Sequence, residues 1–137
     1  MKVNGRGERP VSMARNRLRI VIADDHDLMV AALSRVLSDR DDVEIVGRAK
    51  RGDDVLPLVL ETQPDVVLLD VGMPGTDGIE CARRLRERLP ELRIMMLTAY
   101  GDADTLQAAK CAGADAFILK TVRAPDFFEA MLSLIHI

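Results

Sequence analysis

Five polar side chains in this chain of 137 residues stand where chemistry could be done: Asp24 and Asp25, then Asp70, Thr98 and Lys120. Each comes at the end of a short apolar run. Like charges crowded together are unfavourable unless something neutralises them. A hard divalent cation does this, and carboxylate oxygens with retained waters suit Mg²⁺. One carboxylate can then attack a phosphoryl group and form an aspartyl phosphate. That reaction needs charge neutralisation and alignment more than an added base. Asp70 is the candidate nucleophile, because it ends the most apolar run. Asp25 is expected to ligate the metal directly, and Asp24 directly or through water, with the Gly72 carbonyl completing the shell. Lys120 supplies a point charge to the phosphoryl group, and Thr98 a hydroxyl donor.

These roles require elements that bring the five together. Leu18 to Ala23 is a β-branched run, and Leu28, Ala31, Ala32, Val36 and Leu37 then recur at helical spacing. Val43 to Ala49 is predicted as a second strand, and Asp53 to Thr62 as a short helix, against which Pro57 is a mild objection. Asp65 to Asp70 is a buried type of strand. The stretch from Met73 to Gly78 is a loop rich in turn formers. Ile79 to Leu89 is a helix with Cys81, Ala82, Leu85 and Leu89 on one face. The group from Arg83 to Arg88 lies mainly on its solvated face, and Pro90 stops the helix. Arg93 to Thr98 is strand four. Ala103 to Ala112 is a helix closed by Gly113, Asp115 to Leu119 is strand five, and Asp126 to about Leu134 is a last helix. Strict strand-helix alternation with doubly apolar strands predicts a parallel sheet covered on both faces. The fold class is therefore α/β: a flavodoxin-like, doubly wound, five-stranded parallel sheet of order 2-1-3-4-5 with five helices. Ligands in such folds sit at the carboxyl ends of the strands, where all five polar residues fall.

Four segments in this order resemble a known family. They are Asp24-Asp25 after strand one, the stretch from Asp70 through Gly72 and Met73-Pro74-Gly75 to Gly78, Thr98-Ala99 after strand four, and Ala112 to Lys120 around strand five. The intervals of 45 residues from Asp25 to Asp70, 28 to Thr98 and 22 to Lys120 suit it as well. From about residue 17 to its end the chain resembles a response-regulator receiver domain of two-component signalling. Ala23-Asp24-Asp25-His26 and the strand-five segment look most like the NarL/FixJ (LuxR-type) branch. The resemblance implies that Asp70 is the phosphoacceptor, Asp24 and Asp25 the acidic pair for Mg²⁺, and Thr98 and Lys120 the switch pair. It places Phe117 at the aromatic switch position. It also implies a histidine kinase or phosphotransfer protein as phosphodonor, and a face of helix four, strand five and helix five that changes shape and can form a homodimer. Thr121 departs from the family's frequent proline after the lysine, which bears on local loop shape.

Composition bounds the rest. Apolar residues are 48% and charged residues 30% of the chain, a balance that excludes a disordered protein. Aromatics are 3%, too few for a stacking platform for nucleic acid. No apolar run approaches the ~20 residues that span a bilayer. Lys2, Arg6, Arg9, Arg15, Arg17 and Arg19 against Glu8 give the first 19 residues a charge of +5, so the remaining 118 carry −8 of the net −3. Residues 1–16 are expected to be a basic, disordered tail before a receiver domain over 17–137, with Met13 an alternative start. The tail lacks the apolar core of a signal peptide, so a cytoplasmic protein is expected. DNA binding is not expected of the acidic body, nor is membrane contact. Cys81 and Cys111 are expected to be buried or half-buried free thiols, and His26 a loop histidine opening the first helix.

Two rival functions share part of this pattern. A haloacid-dehalogenase-type phosphohydrolase also forms an aspartyl phosphate, but it needs a second aspartate where Gly72 stands. A receiver-like partner-binding module would be expected to have lost an acid or the lysine. The 17 residues after Lys120 allow one helix and no helix-turn-helix output domain. Residues 132–137 resemble the translation of a sequencing adapter, so a truncated reading frame is expected, with the output domain absent.

Overall fold

Successive strand residues point to opposite faces. The computed structural model describes residues 17–99 and 101–120, together with Asp126, Glu129 and Ser133. The elements run β1 (Leu18–Ala23), α1 (Asp27–Ser38), β2 (Val43–Ala49), α2 (Val55–Thr62), β3 (Val66–Asp70), α3 (Gly78–Arg88), β4 (Arg93–Thr98), α4 (Ala103–Cys111) and β5 (Ala116–Leu119). The strands form one parallel sheet in the order β2-β1-β3-β4-β5. The sheet order and its covering by helices are as the alternation predicts. Four helices are present among the described residues. Asp126, Glu129 and Ser133 are helical and exposed; the rest of the expected last helix lies outside the described residues. So do the basic tail with Met13, Thr121, and the final residues apart from Ser133.

Among the described residues one face of the sheet meets α2, α3 and α4 and the other α1. Val21, Ala23, Val67, Leu69, Ile94 and Met96 share a core with α2, α3 and α4. The alternate residues Ile20, Ile22, Val66, Leu68, Met95 and Leu97 pack with Val30, Leu33 and Leu37 of α1. All five residues of β3 are buried, as befits a central strand covered on both sides.

The helix starts carry local signals. Asp77 accepts a hydrogen bond from the Glu80 N–H at 2.9 Å, and Asp102 accepts one from the Thr105 N–H at 3.1 Å. Both are side-chain N-caps. Pro57 is the third residue of α2, inside the first turn, where its missing N–H costs no helical hydrogen bond.

Four local expectations change. Residues Gly52–Asp54 form a 3₁₀ turn, so α2 begins at Val55. On α1 the buried stripe is Val30, Leu33 and Leu37, while Leu28, Ala31 and Ala32 are exposed. Two neighbouring apolar stripes fit helical spacing there, and packing on the sheet selects one. Cys81 is buried as expected, but Cys111, at the last turn of α4, is exposed. Arg86 leaves the solvated arginine face. Its guanidinium donates to the carbonyls of Leu92 (2.7 Å), Pro90 (2.7 Å) and Gly113 (2.7 Å) and to Asp115 (2.7 Å), tying the end of α3 to the entries of β4 and β5.

Candidate functional site

The register of the sheet sets out the site. Ala23 pairs with Leu69, and Asp70 with Leu97. Asp24 therefore stands beside Asp70 at the carboxyl ends of adjacent strands. Ile20-Ile22-Asp24, Val66-Leu68-Asp70 and Ala116-Ile118-Lys120 continue one alternation, so the two acids and the lysine fall to the same side of the sheet. Thr98 follows Ile94 and Met96 on the other alternation, as does Phe117, the strand partner of Met96.

The side chains bear this out for three of the predicted groups. Lys120 Nζ lies 2.9 Å from Asp24 Oδ2 and 3.2 Å from Asp70 Oδ1. Asp24 and Asp70 are buried. Asp25 is exposed and turns one oxygen toward the cluster, 3.4 Å from His26 Nδ1. Thr98 is buried at the end of β4, and its carbonyl accepts the Lys120 N–H at 2.7 Å, which fixes where the lysine leaves the sheet. Phe117 is half-buried and packs on the core shared with α2, α3 and α4.

The two buried carboxylates titrate in opposite directions. Burial pushes Asp70 above its ordinary value, and the negative charge of Asp24 adds to this; Lys120 and the Gly72 N–H only partly oppose it. Burial acts on Asp24 in the same sense, but contacts with Lys120 and with the backbone and ring of His26 outweigh it, and its carboxyl sits below the usual range. Two buried oxygens, Asp24 Oδ2 and Asp70 Oδ2, accept no hydrogen bond; the first has the Lys120 ammonium beside it at 2.9 Å. An orphaned anionic oxygen is costly. Beside the exposed Asp25 carboxylate, Asp70 Oδ2 fits a hard cation and its waters.

The loop from β3 to α3 carries Gly72 and is bracketed from outside. Gly72 is exposed, and its N–H lies 3.4 Å from Asp70 Oδ1. The Gly52 N–H donates to the Pro74 carbonyl at 3.0 Å. The Thr76 hydroxyl donates to Asp53 Oδ1 at 2.6 Å, and this bond holds the Asp53 carboxyl below its usual value. Cys81 Sγ donates to the Gly52 carbonyl at 3.4 Å. Two close approaches need glycine. A Cβ on Gly52 would stand 1.6 Å from the Thr76 carbonyl oxygen, and one on Gly78 2.1 Å from that of Asp70. This bracket has no signal in the chain, because its halves belong to different loops.

His26 opens α1 as its N-cap, as expected, and its ring also joins the cluster. Its Nδ1 lies 2.7 Å from Asp24 Oδ1, and its backbone N–H donates to the same oxygen at 2.9 Å. The signal available was adjacency: the residue after a functional acid pair, at the N-cap of α1, has its ring over that pair. Asp24, Asp25, His26 and Asp70 offer ligand atoms that all lie within 4.8 Å of one another.

Comparison with known proteins agrees with this geometry. The family described as response regulator receiver domain matches residues 20–132. The response regulator protein VraR of Staphylococcus saprophyticus is 33% identical over 114 residues, which are 83% of this chain and 54% of that protein. The signal receiver domain of the response regulator designated NarL from Mycobacterium tuberculosis superposes with a TM-score of 0.81 at 34% identity, over 86% of this chain and 95% of that one. A LuxR-family two-component response regulator from Aurantimonas sp. SI85-9A1 superposes with a TM-score of 0.81 at 27% identity, over 86% of this chain and 84% of that one. The chain spans about half the length of the curated relatives it matches.

Proposed function

The chain belongs to the response regulator receiver domain family of two-component signalling, and from that premise we propose that Asp70 accepts a phosphoryl group from a histidine kinase or phosphotransfer protein. A carboxylate oxygen of Asp70 attacks phosphorus as the bond from phosphorus to the donor's imidazole nitrogen breaks. That nitrogen leaves with the electron pair. The observation that carries this reading is the pairing at Asp70: one oxygen 3.2 Å from the Lys120 ammonium, the other buried without a hydrogen bond. The lysine can follow the charge onto the phosphoryl group while Asp24 keeps its other side anchored. Asp24, Asp25, Asp70 and the Gly72 carbonyl would hold Mg²⁺, which supplies charge neutralisation to the phosphoryl oxygens when bound. Thr98, at the buried end of β4, supplies a hydroxyl once the phosphoryl group arrives.

Phosphorylation then biases a two-state element. Thr98 and Phe117 occupy the same alternation on adjacent strands, so movement of one is felt by the other. The readout surface is the side of α4 and β5. Leu106 on α4 and Leu119 on β5 leave apolar side chains partly in solvent there, which suits a second copy of the chain. Residues 17–137 act as the receiver unit of a cytoplasmic regulator of transcription. DNA contact is assigned to an output domain. The domain catalyses only its own phosphorylation and dephosphorylation. No helix among the described residues is long and apolar enough to cross a membrane.

The test is incubation with acetyl phosphate and Mg²⁺, read by intact mass. Gain of one phosphoryl group, lost in Asp70→Asn, supports the proposal. Repeated turnover of an external phosphoester would sink it in favour of a hydrolase. Absence of any change with acetyl phosphate or beryllofluoride would favour a module that only binds partners.

A further inference from the structure

Asp24 and Asp25 open the loop between β1 and α1, and the loop ends at Asp27, the first residue of α1. One side chain from β2 reaches both ends. The Arg48 guanidinium donates to the Asp24 carbonyl through Nη2 at 3.0 Å and Nε at 3.3 Å, and through Nη2 to Asp27 Oδ1 at 2.8 Å. The main chain of β2 holds the same aspartate as well, because the Asp24 N–H donates to the Ala49 carbonyl at 3.0 Å. The register of β2 explains how Arg48 comes to be there. Ile20 pairs with Ile45 but Val21 with Gly47, so Val46 is an extra residue. A one-residue slip exchanges the faces of everything beyond it. Val43 and Ile45 pack on the α1 side of the sheet, and plain alternation from them would send Arg48 to the other face. After the slip Arg48 pairs with Ile22, which packs on the α1 side, and its side chain reaches the start of α1.

This clasp bears on the acids through a rigid link. The Asp24 carbonyl and the Asp25 N–H belong to one planar peptide. A guanidinium that fixes the carbonyl therefore fixes the direction in which Asp25 leaves the strand. Asp24 is in turn tied into the site. Its Oδ2 lies 2.9 Å from Lys120 Nζ, and its Oδ1 lies 2.7 Å from His26 Nδ1, which is 2.8 Å from the same ammonium. A shift of that peptide is passed to the lysine that stands 3.2 Å from Asp70. We propose that Arg48 is a positioning residue for phosphoryl transfer to Asp70, acting through the Asp24–Asp25 peptide that its guanidinium holds against β2. The proposal rests on the reading of Asp70 as the phosphoacceptor. The planar fork suits the task, since it serves a carbonyl and a carboxylate at once, where a lysine ammonium is a point charge. Lys50 Nζ lies 3.3 Å from the same Asp27 oxygen, but its side chain is 57% exposed against 27% for Arg48. It adds charge to the loop without holding the peptide.

The experiment uses the whole chain with acetyl phosphate and Mg²⁺, and follows labelling over time by intact mass. Arg48→Lys keeps the charge and loses the fork; Arg48→Ala loses both. At saturating acetyl phosphate and Mg²⁺ the labelling rate should fall roughly tenfold or more in each, since misplacement by about an ångström can cost about a hundredfold. The half-saturating acetyl phosphate concentration should keep its wild-type value, because Arg48 acts on position and not on the donor. Lys50→Ala removes a cation but leaves the bonds to the carbonyl, and should label at the wild-type rate. A second readout uses the chain without metal or donor. In proton–nitrogen correlation spectra the Asp25 amide should move in Arg48→Lys, while that of Leu68, in the core of β3, stays in place. Arg48→Lys carries both readouts even where Arg48→Ala folds poorly. Four results overturn the proposal while wild-type labelling keeps the Asp70 reading: unslowed labelling in Arg48→Lys, a change confined to the half-saturating concentration, an unmoved Asp25 amide, or equal slowing in Lys50→Ala. A wild-type chain that takes no label overturns the Asp70 reading and the proposal together.

Discussion

The Lys120 ammonium lies 3.2 Å from Oδ1 of Asp70, so the proposed acceptor is already held by the group that would follow its charge. A contact made both before and after phosphoryl transfer holds the acceptor in place. It also lets the fold tolerate an acid cluster at all, because the same ammonium reaches Asp24.

Removal of that lysine should therefore be costly. Lys120→Ala leaves two buried carboxylates facing each other without their cation, and losing one partner of a buried ion pair costs about 3–5 kcal/mol. Urea unfolding should show a loss on this scale in metal-free buffer, and added Mg²⁺ should recover part of it. Acetyl phosphate labelling should remain low even with Mg²⁺.

Asp70→Asn should stabilise the metal-free protein while abolishing its labelling. Burial and the Asp24 charge raise the Asp70 pKa on folding, so the folded state holds this proton more tightly than the unfolded state. The charged form thus costs stability at all pH values above the folded pKa, and the cost fades as pH falls toward the unfolded value of 3.8. Thermal melts should show the variant higher by roughly 2–5 °C near neutral pH, with the advantage shrinking in acid. Asp24 behaves oppositely. Its lowered pKa contributes stability that is present above 3.8 and lost as pH falls through the folded value.

Gly52→Ala should reach the phosphorylation site from outside it. Its Cβ would overlap the Thr76 carbonyl oxygen at 1.6 Å, and both atoms' supports are backbone. Forcing such an overlap costs about 1–3 kcal/mol or more. The β3–α3 loop must shift, carrying the Gly72 carbonyl with it. A lower melting temperature together with slower acetyl phosphate labelling is expected. Normal labelling on a destabilised fold would show that the bracket does not position the loop.

The two thiols should separate by reactivity. Burial, aided by Asp77, pushes the Cys81 thiol up to about 11, while Cys111 is exposed. The two-unit rise alone cuts the thiolate fraction about a hundredfold. Maleimide labelling followed by peptide mapping should therefore find Cys111 modified first and Cys81 protected until the protein is unfolded.

Much of this fold was legible because its signals are local. Runs such as Val66 to Leu69 read as buried strands without any neighbour, and Pro90 and Gly113 mark helix ends by their own backbone chemistry. The phase of α1 was not legible, since Leu28 and Val30 belong to two stripes with equal claim to the core. Arg86 looked like its arginine neighbours; the carbonyls it binds come from turns that only the folded chain brings near. His26 lay beside the acid pair in plain view, but its ring direction depends on backbone angles after β1.

The sequence by itself determined which groups stand at the strand ends, because a strand's length and its polar stop are written in consecutive residues. With alternation, that was enough for the sheet order and for placing Asp24, Asp70 and Lys120 on one edge. Only the tertiary structure decided how those groups share charge. Lys120 lies between two acids, Asp70 Oδ2 has no hydrogen bond, and His26 Nδ1 meets both signs at once. Each of these depends on distances across three strands and a helix cap, and Coulombic and hydrogen-bond energies change over fractions of an ångström that no spacing along the chain encodes.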